Sequence, residues 1–254
     1  MSATAMDNVR SATPGQVRRS PSVPAHWPIR RHVAAAETTP AGPLHSVEVT
    51  VPAKTNLTLH VGPAHEEWGG RHALDTIYCA IGVNDVVTAT AKTPGSGFSL
   101  ELSGEHLGDL ASSGSDMRRN HAVLALFAIA RAAGREPDVA LHVDKHIPVG
   151  AGLGGGSADA AATLLAVNTL WGLHWPIERL RDIAATLGAD MPFCLEGGYA
   201  HGTGFGERII PLEDDSSCVQ TLRDRGFAGQ LLVGAYHAQL STPNVYSTFD
   251  KMGA

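Results

Sequence analysis

The sequence predicts an α+β protein, and three features carry that expectation. Runs of apolar–polar alternation crowd the first half, helix-period stripes fill the middle, and short alternating runs return near residue 199. Strands and helices therefore follow one another in irregular order, without the regular strand–helix alternation of a doubly wound sheet. Third, the glycine-dense stretch from Pro148 to Ala158 opens directly into an apolar helical pattern. No internal repeat is present.

Taken in order, residues 1 to about 45 are rich in Ser, Pro, Ala and Arg and hold no sustained period, so they are expected to be a disordered tail or an over-extended start. An Arg- and Ser-rich, acid-poor start also fits an organellar transit peptide of plastid type, although Trp27, Pro28 and the other prolines spoil an amphipathic helix. Globular sequence begins at Ser46-Val47-Glu48-Val49-Thr50-Val51, a strand by its alternation. Pro52 to Asn56 interrupt it, and Leu57-Thr58-Leu59-His60-Val61 alternates again. Gly62, Pro63, Gly69 and Gly70 mark a loop, after which Val83–Ala91 and Phe98–Leu102 read as strands. Val123, Leu126, Phe127 and Ala130 share one helix face, predicting a helix from about Asn120 to Ala133 that Gly134 stops.

Val139–Val143 reads as a strand, and the helix after the glycine stretch turns Ala160, Leu164, Val167 and Trp171 inward. Pro176 suits the first position of a further helix with Ile177, Leu180, Ile183, Ala184 and Leu187 as its stripe, closed by Gly188. Short strands are expected at Tyr199–Thr203, Arg208–Leu212 and Gln230–Ala235, and Thr242-Pro243 opens a last helix.

Composition bounds the function. The 254 residues leave room for one large or two small domains, and 43% hydrophobic with 17% charged is the balance of a globular chain. No apolar run approaches the ~20 residues of a membrane span. Cys79, Cys194 and Cys218 lie far apart without a C-x-x-C, as buried reduced thiols of a cytoplasmic protein would. None of the 13 histidines falls in a zinc-type spacing. The first 45 residues carry +3 and the remainder −9, for −6 overall. An acidic body argues against nucleic acid as partner, so an anionic substrate must be held by local groups.

The local groups are at hand in Pro148-Val149-Gly150-Ala151-Gly152-Leu153-Gly154-Gly155-Gly156-Ser157-Ala158. Dense glycine leaves backbone N–H groups free to converge on one anion, and a helix beginning near Ser157 adds its positive end. The P-loop pattern fails, because Gly156 and not lysine precedes Ser157. Gly150, Gly152 and Gly155 satisfy G-x-G-x-x-G, but no strand runs straight into the turn and no ribose-binding acid ends a second strand. A purely structural glycine turn is the remaining alternative.

This string resembles the phosphate loop of the GHMP kinases, a family that includes galactokinase, homoserine kinase and mevalonate kinase. Three further stations match in the same order. Pro52-Ala53-Lys54-Thr55-Asn56-Leu57 resembles the family's P-A-K-[LVI]-N-L, Gly188-Ala189-Asp190-Met191-Pro192-Phe193 its G-[AS]-D-[VIM]-P-F, and Leu240 to Tyr246 its [VL]-S-T-x-x-[VA]-Y. Together they cover about residues 46–250. The resemblance implies the two-domain α+β GHMP kinase fold, with an ATP- and substrate-binding domain over 46–201. A ferredoxin-like second domain begins at 202, of which residues up to 254 are a part, since the family continues further.

It also implies phosphoryl transfer from ATP with Mg²⁺, worked mainly by positioning and charge. Asp190 is the implied base for the acceptor hydroxyl, and Lys54 the cation paired with it. Asn56, on the same strand face as Lys54, is expected to hold substrate. Ser157 is expected to meet the Mg²⁺–phosphate group, to cap its helix, or both. Asp159, in the first helical turn where its charge favours the helix dipole, reads as a capping residue, and Lys145 as a border of the adenine or phosphate site. The triple glycine is most similar to the branch acting on a cytidyl diphospho-polyol, whose substrate loop reads D-G-Y-H-x-L. Here that loop is Gly69-Gly70-Arg71-His72-Ala73-Leu74, so Arg71 stands where a tyrosine would stack on cytosine. A guanidinium also stacks on bases. Arg71, His72 and Thr242 are therefore the expected substrate contacts. Another small alcohol, or nucleotide binding without turnover, stays open.

Overall fold

Alternation and bulges together build the sheet of this protein, whose computed structural model describes residues 32–36, 43–105, 107, 117–226, 231–234 and 242–252. β2 (Ser46–His65) and β3 (Arg71–Ala91) form one long antiparallel hairpin. Pro52 does not break β2 as the sequence suggests. The register shifts between Pro52 and Ala53, a bulge that absorbs the missing N–H while the ladder continues. Pairing likewise runs on through Gly62 and Pro63 to His65 opposite Arg71, so the turn is made by the 3₁₀ residues Glu66–Trp68 with Gly69 and Gly70, both at positive φ.

Before this hairpin, β1 (His32–Ala36) lies antiparallel along β2. That corrects the reading of the whole start as unstructured, since three consecutive alanines hide any alternation there. The tail and transit-peptide readings of residues 1–31 lie outside the described residues. β4 (Ser99–Gly104) runs parallel to β5 (Val139–Lys145), with α1 (His121–Ala133) connecting the two. Asn120 caps α1 by accepting from the N–H of Ala122 at 2.9 Å, and Gly134 closes it at φ 62. The strand order is β1-β2-β3-β5-β4, and β6 (Tyr199–Thr203) pairs with the first half of β3. β7 (Arg208–Leu212) pairs with β6, so the sheet continues past residue 201.

One face of this sheet carries the core. Val47, Val49, Val51 and Ala53 of β2, Val87 and Ala89 of β3, and Val139, Leu141 and Val143 of β5 are all buried against the helices. Each valine and leucine among them contributes on the order of 1.5–3 kcal/mol when fully buried, and each alanine less. α2 (Gly155–Leu170) is the central helix, packed on β2, β3, α1 and the short α4 (Met191–Glu196). Its alanines at 158, 160, 161 and 162 are all buried, because small side chains let it be surrounded on every side. α3 (Ile177–Leu187) buries Leu180 and Ala184 with Pro176 at its N-cap, one place before the expected position.

Two helices carried too little period to read, α4 at six residues and α5 (Ser217–Asp224) at eight. Of the strand expected at Gln230–Ala235, residues 231–234 are described; they are exposed, and no strand pairs with them among the described residues. α6 (Thr242–Lys251) forms where Thr242-Pro243 predicts a helix start. Cys79 and Cys194 are buried as expected, whereas Cys218, in the first turn of amphipathic α5, is exposed.

Candidate active site

The glycine stretch leaves β5 and wraps the first turn of α2, and a cavity of about 270 Å³ lies within it. Pro148, Val149, Gly150, Ala151, Gly152, Leu153, Gly154, Gly155 and Gly156 all line this cavity, joined by Arg119, Asn120 and His121 from the start of α1. Glycine is required at 154 by backbone and neighbour alike. Its φ is +74°, and a Cβ there would lie 2.8 Å from Lys54 Cγ. At Gly156 a Cβ would meet the His121 ring nitrogen at 2.3 Å. Ser157 and Ala158, expected to bind the ligand, are not among the lining residues; Ala158 is fully buried in the core. Nor does Ser157 cap α2, whose N-cap is Gly154 with no side-chain bond.

Lys54 meets the loop through its backbone, donating its N–H to Leu153 O at 2.9 Å. Its side chain turns to Asp190. Lys54 Nζ lies 3.1 Å from Asp190 Oδ2 and donates to Asn56 Oδ1 at 3.1 Å. Asn56 Nδ2 in turn donates to Thr76 Oγ1 at 2.7 Å, and Thr76 donates to the Thr58 carbonyl. Asp190 stands at the N-cap position of α4, yet its carboxylate makes no cap bond. It receives the Tyr78 hydroxyl on Oδ1 at 3.0 Å instead. The expected pair is thus formed, and Tyr78 is a member that sequence reasoning missed. Burial, with the Asp190 charge beside it, holds the Tyr78 hydroxyl far above its ordinary pKa, so it acts as a donor.

Lys145 also lines the cavity. It continues the inward register of Val139, Leu141 and Val143, which puts its ammonium in the core at 1% exposure. Two buried carboxylates receive it there: Asp85 in a short ion pair, and Asp159 at 2.7 Å. Asp159 is therefore a buried ion-pair partner and not a cap of α2, whose first turn holds no acidic residue. Asp85 Oδ1 also accepts the N–H groups of His146 and Ile147 at 2.6 and 2.8 Å, pinning the entry to the loop. Burial pulls the Lys145 ammonium down, but the Asp159 and Asp85 charges outweigh it and hold its pKa above the ordinary value. Asp159 Oδ1 has no hydrogen-bond partner among the described residues.

On the side of the sheet where the hairpin turns, the Arg71 guanidinium sits 4.5 Å over the Phe205 ring. His72 is buried, with Nδ1 2.8 Å from the Gly62 carbonyl and Nε2 3.1 Å from Asp250 of α6. Tyr246 of α6 stacks on the His72 ring at 5.2 Å. Thr242, at the start of the same helix, is exposed.

Comparison with known proteins agrees with this geometry. The GHMP kinases N terminal domain model matches residues 120–198. The 4-diphosphocytidyl-2-C-methyl-D-erythritol kinase of Bifidobacterium adolescentis is 74% identical over 211 residues, covering 83% of this chain and 68% of the relative. The kinase of that name from Streptomyces coelicolor is 42% identical over 210 residues, covering 82% and 63%. The crystal structure of a 4-(cytidine 5'-diphospho)-2C-methyl-D-erythritol kinase matches with TM-score 0.51 and 37% identity, over 65% of this chain and 55% of that one. A homoserine kinase from Cytophaga hutchinsonii, at 16% identity and TM-score 0.50 over 86% of this chain and 68% of its own, shares the fold alone. The chain spans about two thirds of the length of the curated relatives it matches. With the glycine cradle and the Lys54–Asp190 pair in place, and 74% identity to one relative, this chain belongs to the 4-diphosphocytidyl-2-C-methyl-D-erythritol kinase family of the GHMP kinases.

Proposed function

We propose that the protein transfers the γ-phosphoryl group of ATP to the 2-hydroxyl of 4-diphosphocytidyl-2-C-methyl-D-erythritol, giving the 2-phosphate and ADP, in the cytoplasmic, non-mevalonate route to isoprenoids. The observation that carries this is the Lys54–Asp190 pair standing directly against the glycine cradle, with Lys54 hydrogen-bonded to Leu153 of the loop. A glycine-rich loop wrapped around the start of a helix suits a phosphate chain. ATP supplies the phosphoryl group. Asp190 accepts the proton of the acceptor hydroxyl as its oxygen bonds to phosphorus and the bond to the ADP oxygen breaks. Lys54 orients Asp190 and tempers the charge gathering between them.

A divalent cation finds few protein ligands here. No three His, Cys, Asp or Glu side chains converge as a metal site among the described residues, and Ser157 stands outside the cavity lining. Mg²⁺ would travel with the nucleotide phosphates, and the Ser157 hydroxyl is the loop oxygen we assign to it. Asn56, Arg71, His72 and Thr242 are the residues we assign to the cytidyl substrate. Because β7 completes the sheet, we place the start of the second domain after Leu212 and not at 202. Among the described residues no helix is long and apolar enough to cross a membrane, and we propose no nucleic-acid partner.

A kinase for another small alcohol is the second reading, favoured by one observation: Arg71 replaces the stacking tyrosine and is already engaged with Phe205. A coupled ADP-release assay over a panel of alcohols tests both. Turnover of the cytidyl compound above all others is expected. Preference for a different alcohol would retire the assignment while leaving the fold.

A further inference from the structure

The cavity within the glycine stretch has to attract a polyanion, and its charges single out one side chain. Two cationic residues line it, Arg119 and Lys145. Lys145 is already engaged. Asp85 and Asp159 both engage its ammonium, so two carboxylates face one cation, and Asp159 Oδ1 is left without a partner. Burial, with the Asp85 charge beside it, holds the Asp159 carboxyl well above the ordinary carboxylate range, so the cluster offers phosphate no net positive charge. Lys54, the next cation along, is held by Asp190 and Asn56. The loop N–H groups supply dipoles and no net charge.

His121 does not fill the gap. It lines the cavity, yet desolvation, together with the Lys145 charge, outweighs its hydrogen bond with Gly156 and holds its pKa below the ordinary range. At neutral pH it is an uncharged donor or acceptor. Arg119 is different. It ends the short 3₁₀ turn Met117–Arg119, immediately before the Asn120 cap of α1. Its side chain is exposed on the cavity wall, and no ion pair holds it among the described residues.

We propose that Arg119 is the side chain that contacts and neutralises the nucleotide's phosphate chain, while Lys145 is a strut that ties β5, the loop entry and α2 together. This rests on the reading of the cavity as a nucleotide site. A guanidinium fork is matched to phosphate oxygens, and such charge-assisted bonds are the strong ones. The strut follows from geometry: Asp85 holds His146 and Ile147, and Lys145 links that carboxylate to Asp159 in the first turns of α2.

The test is calorimetric titration of ATP into the full chain at two salt concentrations, with thermal melting of each variant. Arg119→Gln is expected to weaken ATP binding by roughly 10- to 100-fold and to flatten its salt dependence, with the melting temperature unchanged. Arg119→Lys keeps the charge without the fork and should recover part of the loss. Lys145→Met should show the opposite signature, a clear fall in melting temperature. Wild-type affinity and salt slope in Arg119→Gln would overturn the inference while leaving the nucleotide reading intact. A wild-type chain that binds no ATP overturns both.

Discussion

Asp190 divides its carboxylate between two donors, Lys54 on one oxygen and Tyr78 on the other, and this fixes what each substitution should do. Asp190→Asn removes the base and should lower kcat on the order of 100-fold or more, with ATP affinity little changed. Lys54→Ala leaves the carboxylate without its cation and should cost a similar factor. Single-turnover rates and ATP titrations check both, and near-normal turnover in either variant removes that residue from the mechanism. Tyr78→Phe takes one hydrogen bond from Asp190 but leaves the Lys54 ion pair in place, so the expected loss in kcat is milder, about 3- to 10-fold. Arg71 is a matter of binding. Stacking on a base is worth ~1–3 kcal/mol, so Arg71→Ala should raise the KM of the cytidyl substrate by roughly 5- to 150-fold. Arg71→Tyr should hold or lower that KM. Equal weakening by both variants would mean that Arg71 pairs with a charge, and the cytidyl assignment would fall.

At the scale of elements, the glycine loop and Lys54 are one unit. Gly154→Ala places a Cβ 2.8 Å from Lys54 Cγ on a backbone at φ +74°. Left-handed backbone costs a non-glycine residue roughly 1–2 kcal/mol, and the lysine stem must shift as well. The variant should therefore lose both ATP affinity and turnover while remaining folded, and unchanged titration curves would reduce the loop to a turn. The same unit was legible in the sequence, because loop, lysine and aspartate each sit in a short contiguous motif. What was not legible is what depends on distant pairing. Tyr78 reaches Asp190 across 112 positions, and Lys145 reaches Asp85 across 60. The alternation of Val139, Leu141 and Val143 does put Lys145 on the inward face, but nothing local announces the carboxylate of Asp85 that lets its ammonium be buried. Strand lengths failed for a related reason: Pro52 and Gly62 look like breaks, but the bulges beside them let the ladder run on. Helix α1 was read almost to the residue because its cap, stripe and closing glycine are all local.

For the molecule as a whole, the three thiols offer a test of whether sheet and helices unfold together. Cys194 sits in the main core among the residues of α2 and β2, and burial pushes its thiol well above the ordinary range. Cys79 belongs to a smaller cluster with Tyr199 and Val219, where burial pushes its thiol up to about 12. Cys218 is exposed on α5. The thiolate is the reactive species, so a mild alkylating agent at pH 8 should modify Cys218 alone in the native protein. Rising urea then exposes the others. Cys79 joins β3 to β6 and α5, while Cys194 joins α4 to the central helix, so the two report on opposite sides of the structure. A cooperative fold predicts that both become reactive at one urea midpoint, read by mass spectrometry of the labelled peptides. Earlier labelling of Cys79 would show that β6, β7 and α5 open as a separate, weaker unit, and labelling of either thiol without urea would contradict the packing described for it.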